Sequence, residues 1–381
     1  MSAPSPIAAG KHQSGDFVDS LHQSDLVYFL CNVGDGDSQL VLLPCDPMGH
    51  RRAIIVDAAT KRKLPALIDS LEQVGLLAPA APDPGGRPDG SIALVIATHP
   101  HSDHIGGLAE LLERFSGRIA EFWDPGYYHT TQDYHEMMAS VENNQYLLYA
   151  QPTAGYRRWF GSALVTVLSP AVGLRNRFDT YGTEINDASI SVRLEFPAAR
   201  VVRRASGRRL IAQPNTSALI LGADAQTLSW SYVLTDFPQL HASQSDAARA
   251  LKAATGNDPL KARVLKVSHH ASKHGVNLEL IERIGPRLTL VSSTLGGEAY
   301  GFPHSVAQEI IREALQATAS KGGERKKDWE LGLFYTCDTE HGGGSLGSIA
   351  VVMGRGRATL WRFGDETSET LDLGRARRWV G

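Results

Sequence analysis

Residues 92–107 read Ile92-Ala93-Leu94-Val95-Ile96-Ala97-Thr98-His99-Pro100-His101-Ser102-Asp103-His104-Ile105-Gly106-Gly107. The five apolar residues at the start form the short unbroken run expected of a strand buried on both faces. That strand delivers the chain into His99-x-His101-x-Asp103-His104, four potential metal ligands within six residues. Imidazole nitrogen suits zinc, iron and manganese, and a carboxylate adds charge and a harder oxygen ligand. A tight loop at a strand end can bring such side chains to one point, whereas a helix splays several of them around its circumference. Gly106-Gly107 removes side-chain bulk beside the cluster and allows close backbone approach. A polar turn holding three histidines and an aspartate by chance is the competing reading, and the placement between a buried strand and an apolar helical stretch argues against it.

Upstream, Val27 to Val33 and Gln39 to Leu43 are strand-like runs flanking the turn Gly34-Asp35-Gly36-Asp37, which predicts a hairpin. A third run, Ala53 to Val56, ends at Asp57. Apolar residues at Leu64, Leu67, Ile68, Leu71 and Val74 have helical spacing, and Ala78 to Gly90 is a loop rich in proline and glycine. Downstream, Ile105 to Phe115 predicts a helix, and Leu164–Leu168 and Ala188–Phe196 predict strands. Arg200–Arg209 reads as a basic loop, and Ser217–Leu221 as a strand leading to Gly222-Ala223-Asp224. A helix is expected over Ser243–Ala254, then a strand at Val264–Val267 running into Ser268-His269-His270. Leu278–Ile284 and Ser305–Ala317 predict helices; Leu288–Val291, Ile349–Met353 and Thr359–Phe363 predict strands. No internal repeat is visible. Strands and helices alternate irregularly, which favours sheets covered by helices in one continuous domain over residues 25–381. Insertions are expected near 77–91, 197–213 and 318–327, and residues 1–24 read as a flexible leader.

The chain has 381 residues, 42% hydrophobic and 21% charged, enough to bury a substantial core. Its formal net charge of −3 offers no global basic field, so any nucleic-acid contact must rest on a local patch. Candidate patches are Arg203-Arg204, Arg208-Arg209, Arg325-Lys326-Lys327 and Arg375, Arg377 and Arg378, each equally readable as a solvated loop. The three cysteines, Cys31, Cys45 and Cys337, lack metal-ligand spacing and do not form a disulfide framework. No run has the length of a membrane span, and the polar N-terminus lacks a signal-peptide core. A cytoplasmic protein with no membrane partner is the expectation; the oligomeric state is left open.

The His99-x-His101-x-Asp103-His104 element resembles the hallmark of the metallo-β-lactamase superfamily, and the resemblance extends toward the hydrolase domain of ComEC-type DNA-uptake proteins. Asn32-Val33-Gly34-Asp35-Gly36-Asp37-Ser38 is similar to that group's Val-Gly-x-Gly-Asp hairpin. Asp57 matches an Ile-Asp-x-Gly element in which Ala59 stands for the glycine. Leu168-Ser169-Pro170 and Asn186-Asp187-Ala188-Ser189 match two more short elements. Leu265-Lys266-Val267-Ser268-His269-His270-Ala271-Ser272 resembles Leu-Lys-x-x-His-His-Gly-Ser, and Gly301-Phe302-Pro303-His304 a Tyr-Gly-His-Pro element. The matches run in family order from about residue 27 to 305. Gly222-Ala223-Asp224 carries one residue more than the family's Gly-Asp, and Ala271 replaces a glycine. No counterpart of the membrane channel of those proteins is seen, so transport is not expected.

The resemblance implies an α/β (α+β) fold, a four-layer αββα sandwich, and a centre for two divalent metal ions, zinc or manganese, with one-metal occupancy also possible. His99 and His101 would ligate the first metal, Asp103 and His104 the second, and Asp224 would bridge them. His269 would complete the second site, with His270 behind it, orienting a ligand or donating to the leaving group. Asp57 would buttress a ligand histidine through its ring N–H. Asp35 and Asp37 would be turn formers at the rim. An extra histidine, used by many superfamily members, is not evident between residues 105 and 223; His129 and His135 are the candidates. Two metals about 3.5–4 Å apart acidify a shared water and stabilise charge on entering and leaving oxygens. Asp103 and His270 are therefore the expected catalytic pair. Ser272, Lys273 and His304 are candidate substrate contacts, Ser272 and Lys273 as phosphate donors; His304 reads equally as the start of a helix. The leading expectation is a phosphodiesterase or nuclease acting on nucleic acid or a nucleotide. A lactone, thioester or β-lactam hydrolase of the same fold stands as the alternative, because the fold does not set the substrate. A non-catalytic interaction protein with a metal clip is the third reading; closed structural zinc sites typically use cysteines, which this motif lacks.

Overall fold

The computed structural model describes residues 11–14, 16–46, 48–78, 81, 88–175, 184–197, 200–204, 207–211, 217–237, 258–294, 300–319, 326–340, 343–354 and 357–380. The chain first lays down strands β1 (Lys11–Ser14), β2 (Leu26–Leu30), β3 (Ser38–Leu42) and β4 (Ala53–Ala58). Helix α1 (Lys63–Gln73), strand β5 (Ile92–Ile96), the short helix α2 (Ser102–Ile105) and α3 (Leu108–Arg114) follow. Next come β6 (Glu121–Trp123), α4 (Gln132–Glu142), β7 (Leu148–Ala150), β8 (Arg157–Phe160), β9 (Ala163–Ser169), α5 (Val172–Arg175) and β10 (Ser191–Phe196). A hairpin of β11 (Arg200–Arg204) and β12 (Gly207–Ile211) leads to β13 (Ser217–Leu221), α6 (Thr227–Asp236), β14 (Val264–Lys266), α7 (Leu278–Ile284) and β15 (Leu288–Val291). The last elements are α8 (Ser305–Ala319), β16 (Leu333–Tyr335), β17 (Ile349–Gly354), β18 (Arg357–Arg362) and β19 (Arg377–Val380).

Two large sheets result, ordered β1-β19-β18-β17-β2-β3-β4-β5-β6-β7 and β16-β15-β14-β13-β10-β9-β8. Their residues sort into three apolar clusters, one for each interface of a four-layer stack. Strand β2 shows the rule: Leu26, Tyr28 and Leu30 face the cluster between the sheets, whereas Val27 and Phe29 face the outer cluster with α1 and α3. Period-two alternation puts successive side chains on opposite faces, and here both faces are dry. A third cluster joins the second sheet to α6, α7 and α8. The architecture is the αββα sandwich expected.

Each sheet repeats one connection pattern. In the first, β2, β3 and β4 are antiparallel neighbours and β4 to β7 continue in parallel. In the second, β8, β9, β10 and β13 are antiparallel neighbours, and β13 to β16 run parallel. This duplication was not visible as a sequence repeat. The loops leaving the C-terminal ends of β4, β5, β13 and β14 therefore converge, as loops of parallel segments do at ligand sites in α/β folds.

Several expectations change. Within the stretch read as a leader, Lys11–Ser14 pairs with Arg377–Val380. Phe17 is buried edge-on against Phe29, Trp361 and Phe363. A polar segment with one aromatic anchor gives no periodic signal, which is why it read as a leader. Arg200–Arg209, read as a basic loop, is the hairpin β11–β12, with Arg203 opposite Arg208. The helix expected over Ser243–Ala254 lies outside the described residues. The single helix expected from Ile105 is broken at Gly106-Gly107 into α2 and α3. Among the described residues, no helix is long and apolar enough to cross a membrane.

The break at Gly107 is steric. Its N–H donates to Ala58 O at 2.7 Å, and a Cβ there would meet the Thr60 carbonyl and lie 3.0 Å from Ala58 O. Its φ of −107° is one that any residue adopts, so the demand is for space alone. Gly107→Ala is expected to cost about 1–3 kcal/mol in denaturant unfolding, the range for overpacking a close contact; unchanged stability would mean that α2 and α3 can move off β4.

Candidate metal centre

Four strand ends build the site. His99 follows β5, Asp57 lies in the last turn of β4, Asp224 follows β13, and His269 and His270 follow β14. The chain turns sharply at the ends of β4, β13 and β14. Asp57, Ala223, His269, His270 and Ala271 have φ between 46° and 60°, the left-handed region that L-residues rarely adopt. Such strain persists where the surrounding structure over-determines it, characteristically at functional sites. Asp103 and His104 lie on the single turn α2, while His99 and His101 come from the extended segment before it. The cluster is thus half loop and half helical turn, not the loop expected.

The donor atoms form two groups about Asp224. Its Oδ1 lies 3.2 Å from His104 Nε2 and 3.6 Å from His270 Nε2. Asp103 Oδ2 lies 3.8 Å from each of the same two nitrogens. Asp224 Oδ2 lies 3.7 Å from His99 Nε2 and 3.7 Å from His269 Nε2, and His101 Nδ1 is 3.0 Å from His99 Nε2. Ligands about 2.1 Å from a tetrahedral ion stand about 3.4 Å from one another, and the group of Asp103, His104, Asp224 and His270 has the spacing of a coordination shell. His104 Nε2, His270 Nε2 and Asp224 Oδ1 are buried and have no hydrogen-bond partner. Buried polar atoms are ordinarily paired, and three orphans aimed at one point are what a cation would satisfy. The residues of that group fit a divalent ion, and His99 and His269 stand across Asp224 from it.

The back of each ring is held. His104 Nδ1 meets Asp57 Oδ2 at 2.8 Å, and Asp57 also accepts from Thr98 N and Thr98 Oγ1. His270 Nδ1 meets the Ser292 carbonyl at 2.8 Å. A partner on Nδ1 directs the other nitrogen to the centre as an acceptor. Deeper still, Asp37 is fully buried and paired with the equally buried Lys266. Asp37, Asp57 and His104 also approach one another closely, and Lys266 supplies the positive charge on that side.

Electrostatics point the same way. Burial lowers the pKa of His99 well below the ordinary imidazole value, and lowers those of His101 and His269 as well, so these rings are neutral and able to ligate. Burial also opposes charge on His104, but Asp224, Asp57 and Asp103 overcome it and hold that ring well above its usual value. Burial would raise Asp224, yet His104 and His270 pull it well below the usual carboxylate range. A proton on His104 is thus what balances the carboxylates when no other cation does.

The structure places the expected residues as follows. His99, His101, Asp103, His104, Asp224 and His269 converge, with Asp57 behind His104. The division of the last two histidines differs from expectation. His270, not His269, stands with Asp103 and His104, and His269 stands across Asp224 with His99. With Nδ1 on a carbonyl and Nε2 in the donor group, His270 keeps no nitrogen for a leaving group. Ser272 is buried and its Oγ accepts from Gly275 N at 3.0 Å, so it shapes the turn instead of facing a phosphate. Lys273 is exposed. His304 Nδ1 accepts from Val306 N at 3.3 Å, the helix-start role. His129 flanks the site, its ring 6.1 Å from that of His101, whereas His135 is exposed beside Tyr128.

Sequence reasoning assigned no role to Asn186 and Gln226, and placed Asp37 at the rim. The side-chain amide of Asn186 lies 3.5 Å from His269 Nε2, and that of Gln226 3.5 Å from His269 Nδ1. Asn186 Oδ1 is buried with no partner. The Asn186-Asp187 element was the available signal, but an amide looks like a turn residue until a fold places it.

Residues 48–174, which include the whole His99–His104 element, match the family model described as the metallo-beta-lactamase superfamily. No curated protein matches the chain. Its path is similar to that of the metallo-beta-lactamase fold protein YhfI from Bacillus subtilis, with 11% identity over 76% of this chain and 93% of that one and a TM-score of 0.38. Tm1679, a metal-dependent hydrolase of the beta-lactamase superfamily, gives 13% identity over 76% and 93% and a TM-score of 0.37. A long form RNase Z from yeast gives 11% identity over 78% of this chain and 44% of that one, with a TM-score of 0.36. The likeness to the metallo-beta-lactamase superfamily thus rests on residues 48–174, which carry the His99–His104 motif at the end of β5.

Proposed function

We propose that this protein is a metal-dependent phosphodiesterase, acting on a nucleic acid or nucleotide, with zinc or manganese in both donor groups. The observation that carries the proposal is Asp224, a buried carboxylate with one oxygen facing each donor group. Two divalent ions held there would supply an acidified water and positive charge facing the entering and departing oxygens, the requirement of phosphoryl transfer. Asp103 is the one carboxylate of the cluster at the mouth, its side chain 38% exposed, and it receives the proton of the attacking water. His269 borders the approach of the phosphate, steadied by Asn186 and Gln226. Lys273, exposed on the loop beyond His270, offers an ammonium to a non-bridging oxygen. The ordered ComEC-like elements support a phosphodiester over a lactone or β-lactam.

The test is a metal-reconstituted panel of single-stranded DNA, duplex DNA, RNA, bis(p-nitrophenyl) phosphate and a lactone. Turnover of the phosphodiesters is expected. Rapid lactone cleavage with every phosphodiester untouched overturns the proposal. Asp103→Ala is expected to abolish that turnover. Its exposed position predicts a change of no more than about 0.5 kcal/mol in metal-free stability. Wild-type turnover in the variant would remove Asp103 from the mechanism.

A further inference from the structure

We infer that Tyr300 and Phe302 form a stacking subsite for a nucleobase of the substrate, beside the metal centre. This rests on the phosphodiesterase reading and names the part of the substrate recognised. Three rings lead outward from the donor atoms. The Phe302 ring lies 5.8 Å from that of His270 at an interplanar angle of 31°, and 5.3 Å from that of His269. Tyr300 stacks on Phe302 at 5.9 Å and 21°. Exposure rises along the series: His270 is buried, Phe302 is half-buried and Tyr300 is 70% exposed. The platform is tied to the centre, because His304 N donates at 3.0 Å to Ala271 O, next to His270.

Tyr300 presents its ring to solvent one place beyond a half-buried neighbour already stacked. A planar group attached to a phosphate bound at the metal centre beside His269 would fall in line with this series. Every base has a π-face, so stacking recognises nucleobases without choosing among them. The acidic net charge of the chain favours this over a long electrostatic track, and it points to a short or single-stranded substrate whose bases are free to unstack.

The experiment compares a dinucleotide with its abasic analogue, which has the same phosphodiester and no bases, on the metal-loaded full chain. Tyr300→Ala is expected to raise KM for the dinucleotide about 5- to 150-fold, the range for losing one stacked base, with kcat little changed. KM for the abasic analogue should not move, and Tyr300→Phe should retain the wild-type values. Equal effects on both substrates, or none on either, overturn the subsite while leaving the phosphodiesterase standing. If neither compound is hydrolysed, the phosphodiesterase reading fails. Calorimetric binding of the pair then decides the subsite: a preference for the base-bearing compound that Tyr300→Ala abolishes supports it, and equal or absent binding overturns it.

Discussion

Asp224→Asn is expected to strip the protein of bound metal and to lower hydrolysis by at least about 10²-fold. Loss of even an outer partner of a metal ligand costs about 10- to 100-fold in affinity or activity, and Asp224 stands among the donors themselves. Both of its oxygens are engaged, Oδ1 toward His104 and His270 and Oδ2 toward His99 and His269. Asparagine keeps the shape, removes the charge and turns an N–H₂ toward nitrogens that should themselves donate a lone pair. Elemental analysis of purified protein gives the metal content, and circular dichroism shows whether the fold is kept. A ligand that binds only the folded state raises its stability, so chelation should lower the melting temperature of the wild type and leave the variant unmoved. Wild-type metal content with wild-type turnover would sink the shared-carboxylate geometry.

Lys266→Met is expected to cost about 3–5 kcal/mol of stability, the range for removing one partner of a buried ion pair. Lys266 ends β14 of one sheet, and Asp37 precedes β3 of the other; both are fully buried and bonded to each other. Methionine fills much of the same volume, so the loss reports mainly the carboxylate left behind. That carboxylate keeps a 3.2 Å contact from Gln39 Nε2, and its other oxygen has no hydrogen bond and lies 3.9 Å from His270 Nδ1. Asp37→Asn added to Lys266→Met removes the stranded charge and should recover most of the stability. Denaturant unfolding of the wild type, both single variants and the double variant closes the cycle. Additive losses would show that the pair does not couple the sheets.

The duplicated strand pattern explains why so much of the centre converges. Each sheet contributes loops from its parallel half, His99 to His104 and Asp57 from one, Asp224, His269 and His270 from the other. The strained turn at His269, His270 and Ala271 is what aims two adjacent residues to opposite sides of Asp224. In regular extended backbone, neighbouring side chains point to opposite faces, and only one of the two would reach the centre.

The first donor motif was legible because it is local. Four ligands lie within six residues, and Ile92–Ile96 before them is an apolar run that has no use except burial. The strands Ser217–Leu221 and Leu288–Val291 and the helix Leu278–Ile284 stand within the predicted bounds for the same reason, since hydrophobic period and length act over a few residues. Asp37, Lys266, Asn186 and the pairing of His270 with Asp103 were decided by tertiary structure alone. Asp37 and Lys266 are 229 residues apart, and a lone charge in a sequence reads as solvated until a partner from another sheet buries it. The sequence by itself determined that the chain builds a sandwich around a histidine-rich strand end. Which oxygen of Asp224 faces which histidine was settled by packing two sheets face to face, because only that packing sets the distances between residues far apart in the chain.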